Sequence, residues 1–185
     1  MSLRFLPNAI CILRILLVAP LVAAIVDGRY ATALVLIVIG GLSDGLDGFL
    51  AKRFDWRTRL GGLLDPAADK LLLVSTFVAL AYVGVMPRGV VAIVVGRDIV
   101  IVAGAVCYQL FIAPLEGEPA VISKLNTACQ LAFGAFTLTF AAFGWPSPSA
   151  LQLLGASVVF TSLVSGLTYV LQWSTRAWRA ARQVA

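Results

Sequence analysis

Nine acidic residues occur in this 185-residue chain, and five of them, Asp44, Asp47, Asp55, Asp65 and Asp69, fall between positions 44 and 69. Asp44 and Asp47 are three apart, and Asp65 and Asp69 are four apart, so on helices each pair projects from one face. Four carboxylates brought together repel one another unless cations compensate them. A donor set made only of oxygen, in a chain with no histidine, suits Mg²⁺, Mn²⁺ or Ca²⁺ rather than zinc. Two such ions bridged by shared carboxylates form a clamp suited to phosphoryl chemistry. Three other readings compete. The acids could be solvated helix-end charges, partners of Lys52, Lys70 and Arg59, or a relay in a proton or cation transporter.

Glycines flank both pairs, at Gly45, Gly48, Gly61 and Gly62. They allow close helix packing, as in Gly41-xxx-Gly45, or let a ligand lie against bare backbone. Lys52 and Arg53 supply positive charge to a nearby phosphate or sit at a membrane interface. Pro66 removes a backbone donor and predicts a kink beside Asp65.

Helices must carry these residues, and the composition says where such helices live. The chain is 61% hydrophobic and 12% charged, against roughly 45–50% and about 25% in soluble domains. That is the composition of an integral membrane protein. Apolar stretches run at roughly 6–26, 31–52, 60–86, 89–113, 121–143 and 149–173. They are long enough for spanning helices and lack the alternation of barrel strands. The expectation is an all-α polytopic protein of six transmembrane helices, one domain over 1–185. Arg14 interrupts the first stretch, which argues against a cleaved secretory signal.

Other function classes fall away on composition. Without histidine there is no Ser-His-Asp triad, no His-zinc site and no imidazole base. Cys11, Cys107 and Cys129 are far apart in apolar runs and read as buried small hydrophobes, with no disulfide framework. The net charge of +5 comes from basic residues flanking apolar segments, which points to lipid headgroups and not to nucleic acid. With six spans, one side holds Arg4, Lys52, Arg53, Arg57, Arg59, Lys124, Arg176, Arg179 and Arg182, and the other only Arg29 and Arg88. That asymmetry places both termini and the second and fourth loops in the cytoplasm. Trp56, Trp145, Trp173 and Trp178 read as interfacial belt residues, and the Arg176–Arg182 tail as a headgroup-binding end. Arg14, Lys70 and Arg97 lie inside spans, where charge is costly and marks functional candidates.

The run Asp44-x2-Asp47-Gly48-x2-Ala51-Lys52-x8-Gly61-x3-Asp65-x3-Asp69 resembles the signature of the CDP-alcohol phosphotransferase family in every spacer. Its members are six-helix membrane enzymes, commonly homodimers, that move a phosphatidyl or similar group from a CDP-linked donor to an alcohol and release CMP. The resemblance implies two divalent ions, Mg²⁺ or Mn²⁺. Asp44, Asp47 and Asp65 would hold one, and Asp44, Asp65 and Asp69 the other, with Asp69 also taking the acceptor's hydroxyl proton. It implies that Gly48, Lys52 and Thr58 contact the CDP moiety. The segment Pro7-Asn8-Ala9-Ile10-Cys11-Ile12-Leu13-Arg14 resembles the family's first helix, which assigns Asn8 and Arg14 to the donor's polar head. Two departures stand out. Lys52 replaces the usual arginine and loses its bidentate fork, and Cys11 replaces a hydroxyl residue that contacts the nucleotide.

Leu6-Pro7-Asn8, Gly96-Arg97-Asp98-Ile99-Val100 and Ile122-Ser123-Lys124-Leu125-Asn126-Thr127 resemble the CMP-forming cardiolipin synthases, and the phosphatidylglycerophosphate synthases are similar in the same places. Arg97 pairs with Asp98 or a headgroup, or else binds an anionic acceptor. Lys124 anchors the fifth helix, or shares that acceptor. Asn126 stands where those relatives tend to carry a second lysine. A dianionic phosphomonoester favours the extra cation, whereas phosphatidylglycerol, a monoanionic diester, needs fewer. The expected substrates are therefore CDP-diacylglycerol and phosphatidylglycerol, with glycerol 3-phosphate as the alternative acceptor. No long presequence precedes the first span, so the expected location is a bacterial inner membrane.

Overall fold

The computed structural model describes residues 6–54, 59–111 and 121–184, with side chains over 9–43, 53–54, 66–109, 122–123 and 125–175. Among the described residues all regular structure is helical: α1 (Leu6–Val26), α2 (Tyr30–Arg53), α3 (Arg59–Tyr82), α4 (Arg88–Phe111), α5 (Val121–Phe143) and α6 (Pro148–Val184). A helix satisfies its own backbone polar groups, as apolar surroundings require. Four described segments are long and apolar enough to cross a membrane: Ala9–Val26, Arg88–Gln109, Leu125–Phe143 and Pro148–Thr175. Among the described residues, α2 also contributes the apolar segment Tyr30–Ser43. Large apolar side chains such as Leu16, Leu153, Phe160 and Leu167 are exposed, as suits faces turned to lipid. The fold is that of a multi-pass, all-helical membrane protein.

Helix ends follow local chemistry. Gly28 and Gly84 both take positive φ, 73° and 79°, and each closes its helix in a paired cap. The Gly28 N–H donates to Ile25 O at 3.1 Å and Arg29 N–H to Ala24 O at 2.8 Å. At the end of α3, Gly84 N–H donates to Ala81 O at 3.2 Å and Val85 N–H to Leu80 O at 2.9 Å. That cap stops α3 at Tyr82, short of the apolar residues that extend the stretch to Met86, and Met86 is buried beyond it. Pro148 opens α6, where its missing N–H is no loss. The helix then continues past its apolar part to Val184, so the basic tail is helical. Hydroxyl groups within the helices bond back to their own turns, as Thr76 does to Leu72 O at 2.7 Å.

Two compact units result. One is built from α1, α2, α3 and the segment Gly134–Pro148; the other from α4, α5 up to Phe133, and α6. In the first, among the described residues, α1 packs along both α2 and α3. Its core holds Leu21 and Ile25 of α1, Ala33 and Ile37 of α2, and Ala68, Phe77 and Leu80 of α3. Glycines set the approach: a Cβ at Gly40 would stand 2.7 Å from Leu72 Cδ2, and one at Gly134 would stand 3.4 Å from Phe77. Trp145 is exposed and meets Phe136 edge-on, with centroids 5.7 Å apart. In the second unit, Gly104 faces the ring of Trp173, and a Cβ at Gly155 would lie 3.3 Å from Phe133.

The cysteines are free, and one corrects the expectation. Cys11 is buried and Cys129 half-buried, but Cys107 is exposed. Its neighbour Val106 is also exposed, so this part of α4 presents small apolar groups outward, which costs little in lipid.

Candidate functional site

The aspartate signature divides between two helices. Asp44, Asp47, Gly48 and Lys52 lie in the C-terminal half of α2, and Asp65 and Asp69 in the N-terminal part of α3. The side chains of Asp44, Asp47, Lys52 and Asp65 lie outside the described ones, as does that of Asn8 in α1, and Thr58 lies outside the described residues altogether. Pro66 sits inside α3 without ending it.

Asp69 is the described carboxylate of the set, and its partner is Arg14 of α1, whose Nη1 donates to Asp69 Oδ1. Arg14 is wholly buried, while 40% of the Asp69 side chain stays exposed. A buried guanidinium in an apolar helix costs about 2.5–3.5 kcal/mol on insertion scales and is tolerated when paired. The pair therefore fixes α1 against α3 and leaves Asp69 accessible to an incoming group. Cys11, one turn before Arg14, is buried on the same packing face. Reading Arg14 only as a donor contact missed this partnership. The signal was present, since Arg14 is the lone charge of α1 within its span and α3 carries the acids. The donors on α2 and α3 are carboxylates throughout, a set whose chemistry fits hard divalent cations such as Mg²⁺ or Mn²⁺.

A second polar group lies in the α4–α5–α6 unit. Arg97 Nη1 donates to Asp98 Oδ1 at 2.7 Å. Its Nη2 donates to Ser123 Oγ at 2.8 Å and Ser165 Oγ at 2.5 Å. One turn further along α5, Asn126 Oδ1 accepts from Thr161 Oγ1 at 2.8 Å and Ser162 Oγ at 2.9 Å. One turn beyond that stands Gln130. Arg97, Asp98, Asn126, Gln130, Thr161, Ser162 and Ser165 are all buried. Among the described residues, Arg97 Nε, Asn126 Nδ2 and both polar atoms of Gln130 find no hydrogen-bond partner. Lys124 belongs to the first turn of α5, and its side chain lies outside the described ones.

The pairing of Arg97 with Asp98 was one of the two readings open from the sequence; the serine bonds and the carboxamide file were not foreseen. The pattern that reveals them is polar residues at 123, 126 and 130 on α5 opposite 161, 162 and 165 on α6.

Comparison with known proteins bears on both polar groups. The family described as CDP-alcohol phosphatidyltransferase matches residues 4–175. The chain belongs to that family. Among its relatives, a human cardiolipin synthase (CMP-forming) is 31% identical over 180 residues, 89% of this chain and 60% of that protein. A rice chloroplastic CDP-diacylglycerol–glycerol-3-phosphate 3-phosphatidyltransferase is 30% identical, over 91% of this chain and 56% of its own length. A probable phosphatidylglycerophosphate synthase of Mycobacterium tuberculosis is 27% identical, over 89% of this chain and 79% of its own length. The chain thus spans about 60% of the length of the first of these curated relatives. The matched region of this phosphatidyltransferase family member takes in the whole aspartate signature, Arg14, and the Arg97–Gln130 file.

Proposed function

We propose that this family member transfers a phosphatidyl group from CDP-diacylglycerol to phosphatidylglycerol, giving cardiolipin and CMP. The observation that carries the reading is the aspartate signature on α2 and α3, with Asp69 both held by Arg14 and accessible. In this reading a hydroxyl oxygen of the acceptor bonds to the lipid-bearing phosphorus of the donor. The bond from that phosphorus to the bridging oxygen breaks, and CMP leaves with the electron pair. The hydroxyl proton passes to the Asp69 carboxylate. Asp44, Asp47, Asp65 and Asp69 would hold two divalent ions, Mg²⁺ or Mn²⁺. When bound, these ions neutralise the donor's pyrophosphate and stabilise CMP as leaving group.

Gly48, Lys52 and Thr58 receive the CDP moiety and Asn8 the donor's polar head, while Arg14, expected to share that contact, is wholly buried and acts there by holding Asp69. Cys11, buried beside Arg14, serves that region by packing. Arg97 and Lys124 receive the anionic acceptor. Asn126, neutral where a second lysine would favour a phosphomonoester, supports a diester acceptor. The single family match over 4–175 supports treating the chain as one catalytic domain. Charge asymmetry supports cytoplasmic termini and a cytoplasmic active site, the proposed location is a bacterial inner membrane, and the resemblance supports a homodimer.

The test is product analysis with CDP-diacylglycerol and Mg²⁺ or Mn²⁺, offering phosphatidylglycerol and glycerol 3-phosphate in separate reactions. Cardiolipin formed from the first acceptor is the expected outcome. Phosphatidylglycerophosphate from the second alone overturns the acceptor argument built on Asn126.

A further inference from the structure

The buried carboxamides of α5 have a role that the aspartates do not explain. Ser123 meets Ser165 through Arg97, Asn126 meets Thr161 and Ser162, and Phe133 meets Gly155. These pairs set an antiparallel register between α5 and α6, and the same register puts Gln130 opposite Val158. Val158 has no polar side chain to offer and is itself fully buried. Gln130 belongs to the apolar segment Leu125–Phe143, about 13.5 Å along α5 from its start at Val121. Apolar surroundings of that kind give a carboxamide no alternative partner.

The unpartnered groups along this seam have a definite chemistry. Among the described residues, Arg97 Nε, Asn126 Nδ2 and Gln130 Nε2 are donors, and Gln130 Oε1 is an acceptor. Their complement is rich in acceptor oxygens and carries a hydroxyl proton. It has an anionic end for Arg97 and a hydroxylated end for the carboxamides. Ordinary structural carboxamides within a bundle bond across to a neighbour, as Asn126 Oδ1 does; Gln130 does not.

We propose that Asn126 and Gln130 form a hydroxyl-binding subsite for a glycerophosphoryl group, with Arg97 at its phosphate end. The proposal rests on the acceptor reading above and deepens it. It assigns recognition of the acceptor's secondary hydroxyl to two residues outside the aspartate signature. Phosphatidylglycerol and glycerol 3-phosphate share this group, so the subsite selects glycerol acceptors over other alcohols, and the two sources are separated in the test.

Binding is read first without turnover, as thermal stabilisation of the purified full chain by glycerol 3-phosphate, by 1,3-propanediol monophosphate and by inorganic phosphate. In a second arm, CMP release is titrated with phosphatidylglycerol and with phosphatidyl-1,3-propanediol, which keeps the primary hydroxyl and lacks the secondary one. The wild type should prefer the glycerol form of its acceptor about tenfold in one arm or the other, and the arm that shows it identifies the source. Gln130→Met should erase that preference and leave affinity for the propanediol form unchanged. Asn126→Leu, at the neighbouring turn, should do the same, so poor folding of one variant does not end the test. Equal affinity of the wild type for glycerol and propanediol forms overturns the subsite. So does a Gln130→Met variant that weakens both forms alike, the behaviour of a merely hydrated seam. A wild type that releases no CMP with any acceptor overturns the proposed reaction instead, and glycerol selectivity in the stabilisation arm then decides the subsite.

Discussion

Arg14 of α1 donates to Asp69 of α3, joining a fully buried cation to an accessible carboxylate across fifty-five residues of sequence. One contact thereby links the packing of α1 to the position of the signature's last aspartate. The pair has two separable duties, neutralising Arg14 and presenting Asp69, and substitutions can divide them.

Asp69→Asn keeps an oxygen to accept from Arg14 but cannot take a proton from an alcohol. CMP release should fall by a factor of about 10² to 10⁴, while the purified protein, whose buried Arg14 keeps an accepting oxygen but loses its countercharge, melts below the wild type yet still unfolds cooperatively. Retention of normal turnover would remove Asp69 from the role of base.

Asp69→Leu leaves the Arg14 guanidinium buried without its carboxylate and should destabilise by about 3 kcal/mol. The double variant with Arg14→Met should recover much of that loss, giving a favourable coupling in a double-mutant cycle of denaturation. Additive effects would show that the two residues do not share one interaction.

Gly40 faces the end of a flexible side chain, since its added Cβ would lie 2.7 Å from Leu72 Cδ2. Gly40→Ala should be tolerated once Leu72 changes rotamer. Gly40→Ile should cost about 1–3 kcal/mol by overpacking α2 against α3. Combining Gly40→Ile with Leu72→Ala should relieve part of that cost, as measured by thermal denaturation.

Asn126→Lys introduces a second cation where Thr161 and Ser162 hydroxyls can accept from it. The ratio of kcat/KM for glycerol 3-phosphate over phosphatidylglycerol should rise, by about tenfold for one added charge-assisted contact. An unchanged ratio would detach Asn126 from acceptor choice.

Chelation should abolish CMP release, and added Mg²⁺ or Mn²⁺ should restore it, because an all-carboxylate donor set favours hard cations. Activity that persists in excess chelator would show that the four aspartates do not act through metal ions.

Much of this was legible in the sequence, and the parts that were not have a common cause. Apolar length gave the six helices, and Gly28 marked the end of α1, because both are local properties. The end of α3 was misjudged by four residues: Val83, Val85 and Met86 are as apolar as the helix, and the left-handed Gly84 overrides them. The aspartate spacing pointed to α2 and α3 as the site's carriers, since helical periodicity is also local. The Arg14–Asp69 pair and the seam from Arg97 to Gln130 depend on which helices become neighbours, which spacing within one helix does not specify. Cys107 was misread for the same reason, because an apolar run does not say which of its faces turns outward.

The most direct measurement follows both halves of the donor at once. CDP-diacylglycerol labelled at the lipid-bearing phosphorus is incubated with the purified protein, phosphatidylglycerol and Mg²⁺ or Mn²⁺. The account predicts that the label enters cardiolipin while unlabelled CMP appears in equal amount, with both lost in Asp69→Asn. Ion flux through reconstituted vesicles, with the donor intact and no CMP released by folded protein under either metal, would contradict it.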